Sequence, residues 1–452
     1  MKTTGKILTV TAVTLALAGA GFAGIRYNRF QQVPVDGINY RKGSTPLDLR
    51  QETITLQHYL NLREAFPDRT ILWNVPFQQR AYDCTTEKIT ITSLRKEDVE
   101  ALTYLEQLQE IDASNCFDYE ALALLRETLP DCRILSYVAL DERILPWDTR
   151  TLEFQKGRGD FEELQRKLIY LPELETVRFE EPSMTAEELK RLQQLCPQVQ
   201  FSWTKQLFGS LLSSDTEELD ISGMKFESVE EIEAQTDFLP NLKTLTMCDT
   251  GLADAEIAAY RERSRSRFKV IWNVRIRDFD VRTDARWFYP AKFGKEVRDC
   301  DMRHLKYCED MLYVDLSRMV VKNMDWAWGT PHLQYLVITE SPLRDIQPLR
   351  TLKELKLLDL RKVDLRDMRP LADCTALEDL NVAGNYPDLE TLGKMDWLHN
   401  LWVYGSEEEL GAMLPDTVIH SSSREGWKQL ENYKEMQKIL QMQGPVLIKK
   451  QK

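Results

Sequence analysis

The chain has 452 residues, 43% of them hydrophobic and 29% charged, with a net charge of −13. One compact core rarely grows to that length, so several domains or one elongated array are expected, and a hydrophobic fraction of this size without low-complexity tracts excludes general disorder. The acidic balance excludes a nucleic-acid backbone as partner and suits neutral or cationic ones.

In chain order, Lys2 and Lys6 precede an uncharged run from Ile7 to Ile25, closed by Arg26 and Arg29. Such a run, at ~1.5 Å per residue, spans about 28 Å, just enough for a bilayer core. Two readings stay open for residues 1–26. One is an uncleaved signal anchor crossing the cell membrane once through residues 7–25, with the body outside. The other is a cleaved signal peptide with small-residue sites at Ala16-Leu17-Ala18 or Ala18-Gly19-Ala20, leaving a secreted body. Both imply export. Gly19-x-Gly21-x-x-Gly24 matches the dinucleotide fingerprint in letters alone, because it lies inside the apolar run with no strand before it. Residues 27–43 are expected to be a linker, and 44–70 a helical N-terminal cap.

From 44 to 277 a long unit recurs. Ile71, Ile134, Phe201 and Val270 align at steps of 63, 67 and 69, the first three each after a helix ended by a proline phrase, Phe66-Pro67-Asp68, Leu129-Pro130-Asp131 and Leu195-Cys196-Pro197. Two more strand columns run Ile91, Phe154, Ile221, Tyr289 and Ile111, Val177, Leu245. Three strands per unit of about 66 residues is one strand per ~22, so the long unit is three short ones. Trp73, Ser136, Trp203 and Trp272 occupy one column two residues after the aligned core position. Core packing is the expectation there, and a ligand platform the alternative. Residues 278–310 are the least regular stretch and are expected to be a junction.

The regular part covers 311–405. Met311-x-x-Val314-x-Leu316, Leu333-x-x-Leu336-x-Ile338, Leu355-x-x-Leu358-x-Leu360, Leu377-x-x-Leu380-x-Val382 and Leu398-x-x-Leu401-x-Val403 place their central residues 22, 22, 22 and 21 apart. This pattern, with the connecting phrases Leu343-Arg-Asp-Ile346 and Leu365-Arg-Asp-Met368, resembles the bacterial 22-residue leucine-rich repeat of internalin-type surface proteins. The resemblance implies an α/β leucine-rich-repeat solenoid, with a parallel sheet on the concave side and helices and 3₁₀ turns on the convex side. The chain departs from it at the usual asparagine. Only Asn385 matches, while Met319, Ser341, Val363 and Ser406 stand in the other units. A single repeat cannot bury its own apolar face, so stacking and caps are required. Residues 406–452 are expected to cap the C-terminal end, with an amphipathic helix over 425–442 covering the last strand and a basic tail after it.

No catalytic, metal or cofactor site is expected. The five histidines and eight cysteines lack ligand spacing, and no nucleophile elbow or phosphate loop occurs. The cysteines (84, 116, 132, 196, 248, 300, 308 and 374) are scattered as small buried hydrophobes usually are. Strand parity places a binding face instead. The residue between the two leucines of L-x-L, with the residues two before and two after it, points to the concave side. That selects Tyr313, Asp315, Tyr335, Asp359, Arg361, Asn381, Trp402 and Tyr404 as a surface for a protein or glycan ligand. For Trp402 and Tyr404 the alternative is cover by the C-terminal helix. Recognition or adhesion from a membrane tether is the expected function. A structural scaffold of the envelope, self-associating through its cap, is the alternative, and an enzyme centred on 278–310 a third reading.

Overall fold

The computed structural model describes residues 32–422 and 426–447. The run expected to be an anchor or signal lies outside them. Among the described residues no helix is long and apolar enough to cross a membrane. Two compact units divide at Thr204 and Lys205.

The first unit opens with an antiparallel hairpin, Gln32–Val35 with Ile38–Arg41. The linker expected over 27–43 is therefore a β-element in its described part. Its turn is Asp36-Gly37, both at positive φ, a dipeptide that favours this geometry because glycine and aspartate tolerate the left-handed region. His58 ties the hairpin to the helix Leu56–Ala65 through Tyr40 Oη (2.8 Å) and the Asp36 carboxylate (2.6 Å). Parallel strands then come in blocks. Lys88–Thr90, Glu110–Asp112 and Arg133–Leu135 pair side by side, with Ile111 opposite Ile134. Thr151–Phe154 and Thr176–Glu180 repeat the arrangement with the start of Gln200–Leu207, placing Val177 opposite Phe201. A full helix, such as Tyr119–Thr128 or Ala186–Leu195, precedes the last strand of each of these two blocks.

After a block the chain does not pass straight to the next one. It first makes an antiparallel hairpin: Asn74–Phe77 with Arg80–Asp83, then Tyr137–Leu140 with Arg143–Pro146. Sequence periodicity gave no sign of these hairpins. Their turns carry positive φ on Gln78, Asp141 and Glu142, and neither turn contains glycine, proline or asparagine.

The second unit holds one more block, Glu218–Asp220, Thr244–Thr246 and Lys269–Ile271, and its hairpin Asn273–Ile276 with Phe279–Arg282. A seven-stranded parallel sheet follows: β1 (Trp287–Phe288), β2 (Tyr313–Asp315), β3 (Tyr335–Val337), β4 (Leu357–Asp359), β5 (Asp379–Asn381), β6 (Asn400–Trp402) and β7 (Val418–His420). The sheet thus begins inside the stretch expected to be a junction and continues past 405. Leu336, Leu358, Leu380 and Leu401 are in register across adjacent strands and fully buried. The return paths are short 3₁₀ turns, Asp325–Gly329, Gln347–Thr351 and Arg369–Asp373, the last two opened by Pro348 and Pro370. Each unit is a leucine-rich-repeat array of the α/β class.

The missing asparagine ladder is replaced by a second device. An acidic or amide side chain at a strand end accepts the N–H two residues on. Asp112 takes Ser114 (3.0 Å), Asp220 takes Ser222 (2.9 Å), Asp315 takes Ser317 (2.9 Å), Asp359 takes Arg361 (3.2 Å) and Asn381 takes Ala383 (3.1 Å). These turns satisfy backbone donors where the strand leaves the ladder. Asn385 does more. Its Oδ1 accepts Val363 N–H and Leu365 N–H, and its Nδ2 donates to the Leu360 and Val382 carbonyls. Asn385→Ala strips the side-chain partner from the Val363 and Leu365 N–H groups and the Leu360 carbonyl, while the Val382 carbonyl keeps the backbone N–H of residue 385. The substitution should cost about 3 kcal/mol at typical penalties for unsatisfied groups, read as a shift in the urea midpoint. No shift would show that those turns hold without it.

Candidate functional site

Six of the eight residues selected by parity share one face of the strands, while Arg361 and Tyr404 lie just past the ends of β4 and β6. Tyr313, Tyr335 and Leu357 share one column across β2–β4, and Asp315, Val337, Asp359, Asn381, Trp402 and His420 share the other across β2–β7. They do not form an open surface. Tyr313, Asp315, Tyr335, Asp359, Asn381 and Trp402 are buried, and only Tyr404, at 39%, is substantially exposed. The expectation of an accessible binding face is corrected for the other seven, because Arg361 keeps only 15% of its side chain exposed.

Two causes account for this. The polar members are engaged locally. Asp315 and Asp359 close turns as described, Tyr313 Oη donates to Asp315 Oδ2 (3.0 Å), and Arg361 clasps Asp359 through Nε and Nη2 at 2.7–2.9 Å. Burial pushes the Asp315 carboxyl and the Tyr313 phenol above their ordinary ranges. It does the same to Asp359 against the pull of Arg361.

The apolar members are covered by the chain's own C-terminal segment. That segment is a 3₁₀ turn, Trp427–Gln429, then the helix α1 (Glu431–Ile439), then a short strand, Val446–Leu447. Met436 and Ile439 close an apolar cluster with Trp287, Tyr313, Tyr335, Val337 and Leu357. Asn432 Nδ2 donates to Glu378 Oε2 (2.8 Å) and Asp379 Oδ2 (2.9 Å), while Asn400 Nδ2 holds Asp379 Oδ1. Enclosure raises the Asp379 pKa despite both amide donors, and burial pushes Tyr335 up to about 12. Beyond the helix, Trp287 Nε1 donates to the Met442 carbonyl (3.0 Å) and Arg286 N–H to the Gln443 carbonyl (2.8 Å). Val446–Leu447 then adds to the hairpin strand at Phe279–Asp280.

The helix expected to lie on the last strand therefore spans the sheet face from β1 to β5. Its described part is also interrupted at Leu430. Trp427 meets the last strands, edge-on to Trp402 at 5.1 Å, while Trp402 stacks on His420 at 4.3 Å. Among the described residues no group of three or more His, Cys, Asp or Glu side chains is placed to hold a metal, and the eight cysteines are free thiols, five of them buried.

No family model matches the chain, and neither does any curated protein. Solved structures similar to it include internalin C2 of Listeria monocytogenes, at 20% identity over 55% of this chain and 78% of that one, with a TM-score of 0.22. An internalin (inlF) of the same organism is similar at 14% identity over 75% and 82%, with a TM-score of 0.27. A leucine-rich-repeat protein of Leptospira interrogans is similar at 14% over 73% and 76%, with a TM-score of 0.26. The fold assignment rests on the strand register described above.

Proposed function

We propose that the chain is an exported, membrane-tethered leucine-rich-repeat recognition protein without catalysis, and that its partner is a protein presenting an amphipathic helix to the concave side of β1–β5. One observation carries this reading. The face already holds such a helix, seated by Met436 and Ile439 on apolar residues and oriented by Asn432 on Asp379. A groove that buries a helix by alternate apolar anchors is a recurrent mode of peptide recognition. A glycan fits less well, because the covered surface is aromatic and aliphatic with its polar groups already paired. The tether is inferred from the uncharged run Ile7 to Ile25 between basic residues.

The tail is attached to the groove it fills, so it competes at high effective concentration, in the millimolar range for short linkers. The groove must be opened before a partner is scored. A labelled peptide with the sequence of 426–447 should bind the Gly444→Val chain, whose tail is displaced, and not the unaltered chain. The same peptide carrying Asn432→Ala should bind at least tenfold more weakly, measured by fluorescence anisotropy. Failure of the peptide to bind the opened chain would refute the groove.

A further inference from the structure

The hairpins that end the blocks share a pairing. Cys84 N–H donates to the Trp73 carbonyl, Trp147 N–H to the Ser136 carbonyl and Thr283 N–H to the Trp272 carbonyl, each pair eleven residues apart. In two of the three the first member is the indole and the second is small, and the sequence keeps that order at Trp203 and Ser214. Trp73, Trp203 and Trp272 are all buried. Only at 136 and 147 is the order reversed. Ser136 stands in the core position and Trp147 arrives from the opposite arm, half-buried.

The reversal leaves a cavity of about 520 Å³ within the first unit, walled by Trp147, Pro130, Pro172, Ile134 and Leu135. Arg126, from the helix Tyr119–Thr128, also lines it. The guanidinium lies 4.5 Å from the Trp147 ring centre and donates to Ser136 Oγ, and its Nε is buried without an acceptor. Its repeat-equivalent, Arg261, sits in the same way over Trp272 at 4.9 Å and also leaves Nε bare. Arg261, however, has a carboxylate from its own chain, Glu309 at 2.7 Å. Among the described residues no carboxylate lies within ion-pairing distance of Arg126. Burial lowers its pKa to about 10, with only the charge of Asp148 acting in the other direction. A desolvated guanidinium beside an indole and an open volume is half of a charge-assisted pair, and the volume is in the range of small-molecule sites.

We propose that this cavity binds a carboxylate carried on a small apolar group, of the kind an apolar amino acid presents, with Arg126 as its counter-ion and Trp147 as the wall for its side chain. The carboxylate belongs either to a free amino acid or to the last residue of a peptide. The exposed acids Glu127, Asp148 and Glu173 at the rim would favour the free ammonium of the former.

Calorimetric titration of the full chain with phenylalanine, N-acetylphenylalanine and phenylalaninamide separates the cases. At least one of the two acids should bind, at least tenfold more tightly than the amide. Phenylalanine ahead of its acetylated form identifies the free amino acid, and the opposite order identifies a chain terminus. Arg126→Gln should abolish binding. So should the double variant Ser136→Trp with Trp147→Ser, which restores the order found in the other hairpins and keeps the melting temperature. No binding by either acid, equal binding of the amide, or retained binding in either variant would overturn the proposal.

Discussion

Trp402→Ala should lower the melting temperature of the chain by on the order of 10 °C. The indole has no exposed surface, stacks on His420 at 4.3 Å and meets Trp427 edge-on. Truncating a buried tryptophan typically costs about 3–5 kcal/mol, since the lost transfer energy is joined by a cavity that neighbours fill only in part. In a unit of roughly 250 residues each kcal/mol moves the midpoint by about 2–4 °C. A residue held ready for a partner would behave differently, losing capture with the fold intact. Tyr404, two positions on and 39% exposed, is the internal control, and its alanine variant should melt within about 2 °C of the parent. Differential scanning calorimetry decides the matter. Equal midpoints for the two variants would mean that the β6 end of the face is open and Trp402 belongs to recognition after all.

The contrast between these two neighbours shows how far the sequence could be taken. The 22-residue step fixed the strands from 314 to 401 because each central leucine must enter the core, and Leu336, Leu358, Leu380 and Leu401 do so with no exposed surface. Parity then put Tyr313, Asp315, Asp359 and Trp402 on the correct face. It could not tell whether that face was empty. Asp359 in a strand pattern looks the same whether its carboxylate awaits a ligand or turns back onto the Arg361 N–H, because the turn bond depends on backbone geometry after the strand. The tail posed a related difficulty. The spacing of Trp427, Leu430, Tyr433, Met436 and Ile439 announces an apolar stripe, and no local signal names the surface that receives it. The hairpins were hidden for a third reason. Gln78, Glu142 and Arg277 adopt positive φ although none of these residue types marks a turn, and tertiary pairing must hold them there. The Asp36-Gly37 turn, in contrast, carries its signal in the sequence, inside the segment expected to be a linker.

Whether the groove can be vacated depends most on Gly444. A Cβ built there would lie 2.2, 2.4 and 2.6 Å from ring atoms of Trp287, closer than any side chain tolerates. The ring cannot yield easily, since it is itself buried, stacks on Phe293 at 6.0 Å and donates its N–H to the Met442 carbonyl. In Gly444→Val the backbone must therefore move away. It takes with it the Arg286–Gln443 bond and the pairing of Leu447 with Phe279. The helix α1 then loses its downstream anchor and is left with Asn432, Met436 and Ile439 as buried contacts. Nine residues make a marginal helix once detached, because nucleation is unfavourable at that length. The expected result is tail release without unfolding of the sheet, since Asn432, Met436 and Ile439 stand outside the leucine core cluster and Leu447 only packs against its periphery. Trypsin should cut at Lys434 and Lys438 at least tenfold faster than in the unaltered chain, since cleavage follows the population of the open form. The cooperative melt of the array should persist. Unchanged cleavage would mean that the strap is held elsewhere. Loss of the cooperative melt would mean that the tail is a structural part of the array, and the proposed recognition groove would then be its permanent core.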